Sequence, residues 1–164
     1  MAEILGCDAQ PAQLRSTKVP DGVSKSEIET FRCVLEGRFG PYDLVLGGSR
    51  HIRETVVHEL GRLNGWDDES AESFMERFFD DLVDVMITGF VGEEHVPPLD
   101  HEDGVVFGTC HEISNRPGIV RTILVTRDRQ FVEEFRGKVS HTVVLHPVAF
   151  MKLCNAARNS LRRA

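Results

Sequence analysis

The sequence predicts an α/β fold in which a mainly parallel sheet is covered by helices on both faces. Short β-prone apolar runs alternate with segments of helical periodicity along the chain, and this alternation is typical of parallel strands joined by helical crossovers. The chain has 164 residues, and it shows no internal repeat and no linker-like stretch. We therefore expect a single domain over residues 1–164.

The individual elements follow from periodicity and from cap residues. Ser24 or Ser26 is a suitable N-cap and Gly37 a helix stop, Gly47 and Gly48 are expected to end a strand, and Pro147 suits the first turn of a helix. In chain order we predict a strand at 3–7, a helix at 24–36, a strand at 42–46, helices at 49–63 and 67–84, an extended piece within 85–96 that ends at Pro97 and Pro98, a helix at 101–114, a strand at 122–126, a helix at 129–137, a strand at 142–145 and a closing helix from Pro147.

The composition excludes several classes of protein. Hydrophobic residues make up 41% and charged residues 27%, which is typical of a globular domain and not of a disordered or collagen-like chain. No apolar run approaches the roughly 18–20 residues that span a bilayer, and the N-terminal residues do not resemble a secretory signal. We expect a cytoplasmic protein with no membrane partner.

The charge and the cysteines narrow the functional classes further. The net charge of −7 disfavours a general nucleic-acid scaffold, because an acidic surface repels phosphates. It is compatible with a metal-dependent nuclease, whose site needs carboxylates. Four widely spaced cysteines, without a C-x-x-C pair, are typical of buried free thiols rather than of a zinc site.

Glu59 lies at an unexpected position on the predicted helix 49–63. At about 100° per residue it falls about 20° from Ile52, within an apolar stripe. A buried carboxylate needs a cation, a hydrogen-bond network or a metal. Alternatively, Glu59 lies at the stripe edge and reaches water or a neighbouring Arg. The stripe consists of Ile52, Val56, Leu60 and Leu63.

Three further carboxylates have two interpretations each. Asp103 lies within about 60° of the inward face of its helix, although Asp100 could be the N-cap there and Asp103 could complement the helix dipole. Asp128 and Asp8 each follow a predicted strand, at the edge of the sheet where ligands bind. Alternatively, Asp128 caps the next helix and Asp8 is solvated. Converging carboxylates suit Mg²⁺ or Mn²⁺, which activate water at phosphodiesters.

With these residues the chain resembles the PIN-domain nucleases. The resemblance implies a three-layer α/β/α fold with a central, mainly parallel sheet, and Mg²⁺- or Mn²⁺-dependent cleavage of RNA. The matching segments are Asp8 after an N-terminal strand, V-V-H-E-L at 56–60, D-x-x-D at 100–103, I-L-V-T-R-D-R-Q-F at 123–131 and V-V-L-H-P-V-A-F-M-K-L at 143–153.

The resemblance also implies roles for particular residues. The family's acidic positions correspond to Asp8, Glu59, Asp103 and Asp128, which would be catalytic and hold the metal, with Asp100 as an auxiliary ligand. Thr126 and Gln10 would help to order the site. Arg127 and Arg129 flank Asp128 and are candidates to bind substrate phosphates, or else solvated surface charges.

The chain departs from the family at its first acid. Asp-Thr-Asn or Asp-Ser-Asn is usual there, whereas this chain has Asp8-Ala9-Gln10. Two hypotheses follow. The first is a metal-dependent endoribonuclease, for example the toxin of a toxin–antitoxin pair, with an antitoxin or other protein partner and a homodimer as further expectations. The alternative is a catalytically degenerate PIN-like module that binds RNA or a protein without cleavage.

Overall fold

The computed structural model describes residues 22–39, 42–89, 91, 100–136 and 141–161, and in these ranges the protein is a mixed α/β structure. The strand predicted at 3–7, with Asp8 and Gln10, lies outside the described residues, as do Pro97, Pro98 and Gly137. The described elements are α1 (Lys25–Leu35), β1 (Arg38–Phe39), β2 (Tyr42–Asp43), β3 (Gly47–Ser49), α2 (Arg50–Asn64), α3 (Asp68–Leu82), β4 (Val85–Ile87), α4 (His101–Ser114), β5 (Thr122–Val125), α5 (Arg129–Phe135), β6 (Thr142–Leu145) and α6 (Pro147–Leu161).

The chain divides into two compact units, and the first comprises Met1–Val45 with His146–Ala164. In this unit α1 packs against α6, and β1 pairs with β2 in an antiparallel hairpin. Ser24 and Glu27 form a reciprocal capping box at the start of α1, which confirms the first of the two predicted caps. The φ angle of Gly37 is 64°, a left-handed conformation that suits glycine after a helix.

The second unit, Leu46–Leu145, contains the predicted parallel pairing. Its described strands form two parallel pairs, β3 with β4 and β5 with β6. Helices α2 and α3 connect the first pair and α5 connects the second, as parallel neighbours require a crossover. The predicted α/β class is therefore confirmed, with parallel strands joined by helices.

The strand predicted at 42–46 is wrong in its extent. β2 ends at Asp43, and the strand that pairs in parallel is formed by the two glycines that were expected to end it. A Cβ atom on Gly47 would overlap Cδ1 of Ile113, and one on Gly48 would lie 2.8 Å from Cε1 of Phe79. Close packing against neighbouring helices, rather than β propensity, therefore selects these residues.

Helix α4 is the central helix of the second unit. It contributes to two buried apolar clusters, and seven of its residues are buried, so its interior is covered on several sides. Its first turn reaches the surface: His101 and Glu102 are exposed and Asp103 is half-buried. The clusters consist of Ile87, Val91, Val105 and Ile113, and of Phe107, Phe131, Phe135 and Val144.

The remaining helices follow the predictions closely. Ser49 caps α2 and Asp67 caps α3. Leu63 was expected in the buried stripe of α2, but it is 64% exposed; it stands in the last turn, beside the left-handed Gly65 that ends the helix. None of the helices in the described ranges has the length and apolar character needed to cross a membrane.

Candidate functional site

Two of the predicted carboxylates cap helices in the second unit. Oδ1 of Asp100 accepts the backbone N–H of Asp103 at 2.9 Å, at the start of α4. Oδ1 of Asp128 accepts the backbone N–H of Phe131 at 3.0 Å, at the start of α5. The capping interpretation of both residues is therefore confirmed. Because each cap uses Oδ1, the other carboxylate oxygen of each residue is not engaged by the cap.

The pKa of Asp103 is affected by three other carboxylates. Burial raises its pKa above the ordinary value for Asp, and the negative charges of Asp100, Asp128 and Glu102 raise it further. Since Coulomb interactions weaken with distance, Asp100 and Asp128 are both close enough to Asp103 to affect its pKa.

The loop after β5 holds Asp128 in place. Oγ1 of Thr126 accepts the backbone N–H of Asp128 at 3.1 Å, and the backbone N–H of Thr126 donates to the carbonyl of Leu145 at 3.0 Å. Asp128 therefore lies at the carboxyl end of a parallel strand, where ligands bind in open α/β sheets. Arg127 and Arg129 flank it at exposed positions, and their role toward substrate stays a prediction.

The carboxylate of Glu59 forms hydrogen bonds with a neighbouring arginine. Nε and Nη2 of Arg62 donate to its two carboxylate oxygens at 2.9 and 2.6 Å, and Nδ1 of His58 lies 3.5 Å from Oε1. The hydrogen bonds from Arg62 lower the pKa of Glu59. The structure confirms the alternative in which Glu59 reaches a neighbouring Arg. The charge of Glu59 is not among those that raise the pKa of Asp103.

The remaining predicted residues of the site are Asp8 and Gln10, which lie outside the described residues. Within the described ranges, no group of three or more His, Cys, Asp or Glu side chains is arranged to hold a metal ion. Asp100, Asp103 and Asp128, which we name the acidic cluster because the first and last raise the pKa of the second, are therefore not a complete set of metal ligands.

A cleft of about 230 Å³ lies beside the first turn of α4, at residues for which the sequence predicted no site. The sequence signal that precedes it is a polar run, Ser49-Arg50-His51, directly after a glycine pair and at the start of a helix. A polar strand-to-helix turn is a common location for ligand binding in α/β proteins. The lining residues are Ser49, Arg50, His51, Glu54, Gly89, Val91, His101 and Val105.

The polar groups of the cleft differ in how they are paired. Nε of Arg50 donates to Oε1 of Glu54 at 2.6 Å, and this hydrogen bond raises the pKa of Arg50. Nε2 of His51 is buried and has no hydrogen-bond partner among the described residues. The rings of His51 and His101 are edge to face, with centroids 6.3 Å apart. The cleft is thus lined by two imidazole rings and an ion pair, and Nε2 of His51 lies beneath its surface.

Comparison of the chain with protein-family models, with curated proteins and with solved structures found no match. A functional conclusion therefore depends on the chemistry of the acidic cluster and of the cleft.

Proposed function

We propose that this chain is a PIN-like, metal-dependent ribonuclease whose site includes Asp100, Asp103 and Asp128. The observation that carries the proposal is the raised pKa of Asp103, which results from burial and from neighbouring carboxylates. Like charges held together are unfavourable, and perturbed pKa values of this kind concentrate at functional sites. A divalent cation would relieve the repulsion among these groups.

The donor chemistry of the cluster fits Mg²⁺ or Mn²⁺. Both ions prefer carboxylate oxygens, and the caps at Asp100 and Asp128 each engage Oδ1 only. Asp103 is the most crowded member, and the resemblance assigns Asp8 to complete the set. When bound, such an ion activates a water and stabilises an in-line displacement at phosphorus.

The protein's own contribution is to hold the carboxylates in fixed positions. Backbone N–H groups fix Asp100 and Asp128 through their caps, and the hydroxyl of Thr126 accepts the backbone N–H of Asp128. Side chains held in this way need little reorganisation when a ligand binds. Arg127 and Arg129, on either side of Asp128, are candidates to contact phosphate oxygens.

The three-layer α/β/α arrangement is part of the same proposal. A three-layer arrangement around one central sheet is supported by the two parallel strand pairs and by the position of Asp128 directly beyond β5. A homodimer and an antitoxin partner are further parts of this proposal, and they follow from the resemblance rather than from a described contact. A cytoplasmic location, which the composition and the N-terminal residues favour, also belongs to it.

Cleavage of a fluorescent single-stranded RNA in the presence of Mn²⁺ tests the proposal, together with calorimetric titration of Mn²⁺. We expect Asp103→Asn to abolish cleavage and to weaken Mn²⁺ binding. Glu112→Gln is the matched control, because it removes a charge from the same helix at an exposed position and is not among the groups that raise the pKa of Asp103. Unchanged cleavage by the Asp103→Asn variant would contradict the proposal.

A non-catalytic module that binds RNA or a protein is the second candidate. It is favoured by the sequence Asp8-Ala9-Gln10 and by the incomplete ligand set in the described part of the chain. RNA or partner binding without Mn²⁺ binding, and without cleavage by the wild type, would support this module over the enzyme.

A further inference from the structure

Two buried cysteines lie together in the first unit. Cys33 on α1 is 0% exposed and Cys154 on α6 is 2% exposed, and these two helices pack against each other. A hydrogen bond links the two thiols. Nη2 of Arg158, one turn after Cys154 on α6, donates to Sγ of Cys33 at 3.2 Å. Two contacts from neighbouring turns of α6 therefore place the side chain of Cys154 beside that of Cys33.

This pair meets the first requirement of a disulfide. The bond needs two side chains that approach each other closely from neighbouring backbones, and both residues are free thiols in the structure. Among the described cysteines no other pair belongs to one unit, because Cys110 is part of the second unit. The structure thus favours one pairing over the others that the four cysteines of the sequence allow.

The surroundings of the pair determine when it can react. Burial and the neighbouring thiol raise the pKa of Cys154, whereas the positive charge of Arg158 opposes this increase. Thiolate is the attacking species in thiol–disulfide exchange, so exchange is slow once both thiols are enclosed in the folded protein. The bond therefore forms while the chain folds, when a thiolate is still accessible and the helices are coming together.

We infer that Cys33 and Cys154 form a disulfide when the chain folds in the presence of a small-molecule disulfide as oxidant. One S–S bond forms between the two Sγ atoms, and the S–S bond of the oxidant breaks. The two protein thiols are oxidised, and their two protons go to the two thiols that the oxidant releases. A chain that folds in a reducing compartment keeps both thiols, so the pairing depends on the redox state in which folding takes place.

The disulfide would close a long loop of the chain. The loop from Cys33 to Cys154 contains the whole of the second unit, Leu46–Leu145, and with it the acidic cluster. A cross-link restricts the unfolded chain more strongly as the closed loop becomes longer. The oxidised form should therefore unfold at a higher temperature than the reduced form. The inference does not depend on the proposed function, because it requires neither metal nor RNA.

Refolding of the full chain from urea in a mixture of reduced and oxidised glutathione tests the inference. Free thiols are then alkylated in denaturant, and the peptides are mapped by mass spectrometry without reduction. We expect the peptides of Cys33 and Cys154 to be joined, and Cys7 and Cys110 to be alkylated. The thermal midpoint should exceed that of the reduced protein by about 5–15 °C, and reduction in denaturant followed by refolding should abolish the difference.

Two variants separate this pair from the other cysteines. Cys154→Ser cannot form the bond, and its thermal midpoint should be equal after refolding in oxidising and in reducing buffers. Cys110→Ser is the matched control, because it removes another buried thiol and leaves the pair intact; it should keep the difference between the two buffers. If Cys154→Ser does not fold, the peptide map of the wild type decides.

Three results would overturn the inference. The first is a disulfide between any other two cysteines in place of the predicted one. The second is a map in which Cys33 and Cys154 remain free thiols, or carry glutathione, in the oxidising mixture. The third is a joined pair whose thermal midpoint does not exceed that of the reduced protein, since a bond strained in the native structure gives no stabilisation.

Discussion

The hydroxyl oxygens of Ser49 and Thr109 lie 3.0 Å apart, and each residue is 1% exposed. Oγ1 of Thr109 is also 2.9 Å from the carbonyl oxygen of Val105. A hydroxyl has a single hydrogen, so both contacts form together when Thr109 donates to the carbonyl and Ser49 donates to Thr109. This buried contact joins the N-cap of α2 to the middle of α4.

Replacing Thr109 by Val should therefore destabilise the protein. The variant leaves the buried hydroxyl of Ser49 without its partner, and an unsatisfied buried group costs about 1–3 kcal/mol. Urea denaturation measures the loss as a lower free energy of unfolding. Equal stability of the variant and the wild type would contradict the importance of this contact.

The opposite result is expected at Thr142, which provides the matched control. Thr142 is 2% exposed, and its hydroxyl has no hydrogen-bond partner among the described residues. Thr142→Val removes a polar group that burial already penalises, and it should leave the free energy of unfolding unchanged or raise it by about 1 kcal/mol. A loss as large as that of Thr109→Val would show that the Thr142 hydroxyl has a partner.

Ionised Asp103 should lower the stability of the folded chain at neutral pH. Its pKa is raised on folding, so the folded state binds a proton more readily than the unfolded state, and this group favours folding more as the pH falls through that pKa. Asp103→Asn should therefore raise the thermal midpoint at pH 7, with a gain that shrinks in acid. Thermal unfolding from pH 7 to pH 4 tests this; a gain independent of pH would contradict it. Glu112→Gln, at an exposed position near the other end of α4, is the control.

The contacts of Glu59 do not support the catalytic role that the resemblance implies for it. Its carboxylate is bound by Arg62, whose hydrogen bonds lower the pKa of Glu59. We expect Glu59→Gln to retain most RNA cleavage, whereas Asp103→Asn loses it. Comparison of the two cleavage rates under identical Mn²⁺ concentrations is the measurement. A loss in Glu59→Gln as deep as in Asp103→Asn would restore Glu59 to the site, as the sequence predicts.

The described cysteines should be unreactive in the folded protein. Cys33 is 0% exposed, and burial raises the pKa of Cys110 and Cys154 to about 12 each. The thiols of Cys110 and Cys154 therefore stay protonated at pH 8, and thiolate is the reactive form, while Cys33 is inaccessible to a reagent. In a Cys7→Ser variant, a thiol reagent should label these three cysteines in denaturant and none of them under native conditions. Rapid native labelling would contradict their burial.

Local signals predicted the helices and the strands β5 and β6, but not β3. Helix α4 has the predicted bounds, because an N-cap residue, Asp100, directly precedes it. The position of β3 was missed because contacts of Gly47 and Gly48 with Ile113 and Phe79, which lie far along the chain, determine it. No local propensity contains that information.

The candidate site was likewise predictable only where local signals are sufficient. Strand ends and helix angles indicated Asp103 and Asp128, and the charge of Asp128 is among those that raise the pKa of Asp103. The helix angle of Glu59 does not reveal that Arg62, three residues later, pairs with it. The cleft was missed because His51 and His101 belong to distant segments that only the fold brings together.

The two glycines of strand β3 link the core of the second unit to the shape of the cleft. Ile113 and Phe79 reach the positions where Gly47 and Gly48 would otherwise carry Cβ atoms, and the next residue, Ser49, lines the cleft. A change in the volume of either core side chain would shift this backbone, because packed interiors transmit strain. Substitutions of Ile113 or Phe79 would therefore change the shape of the cleft although neither residue lines it.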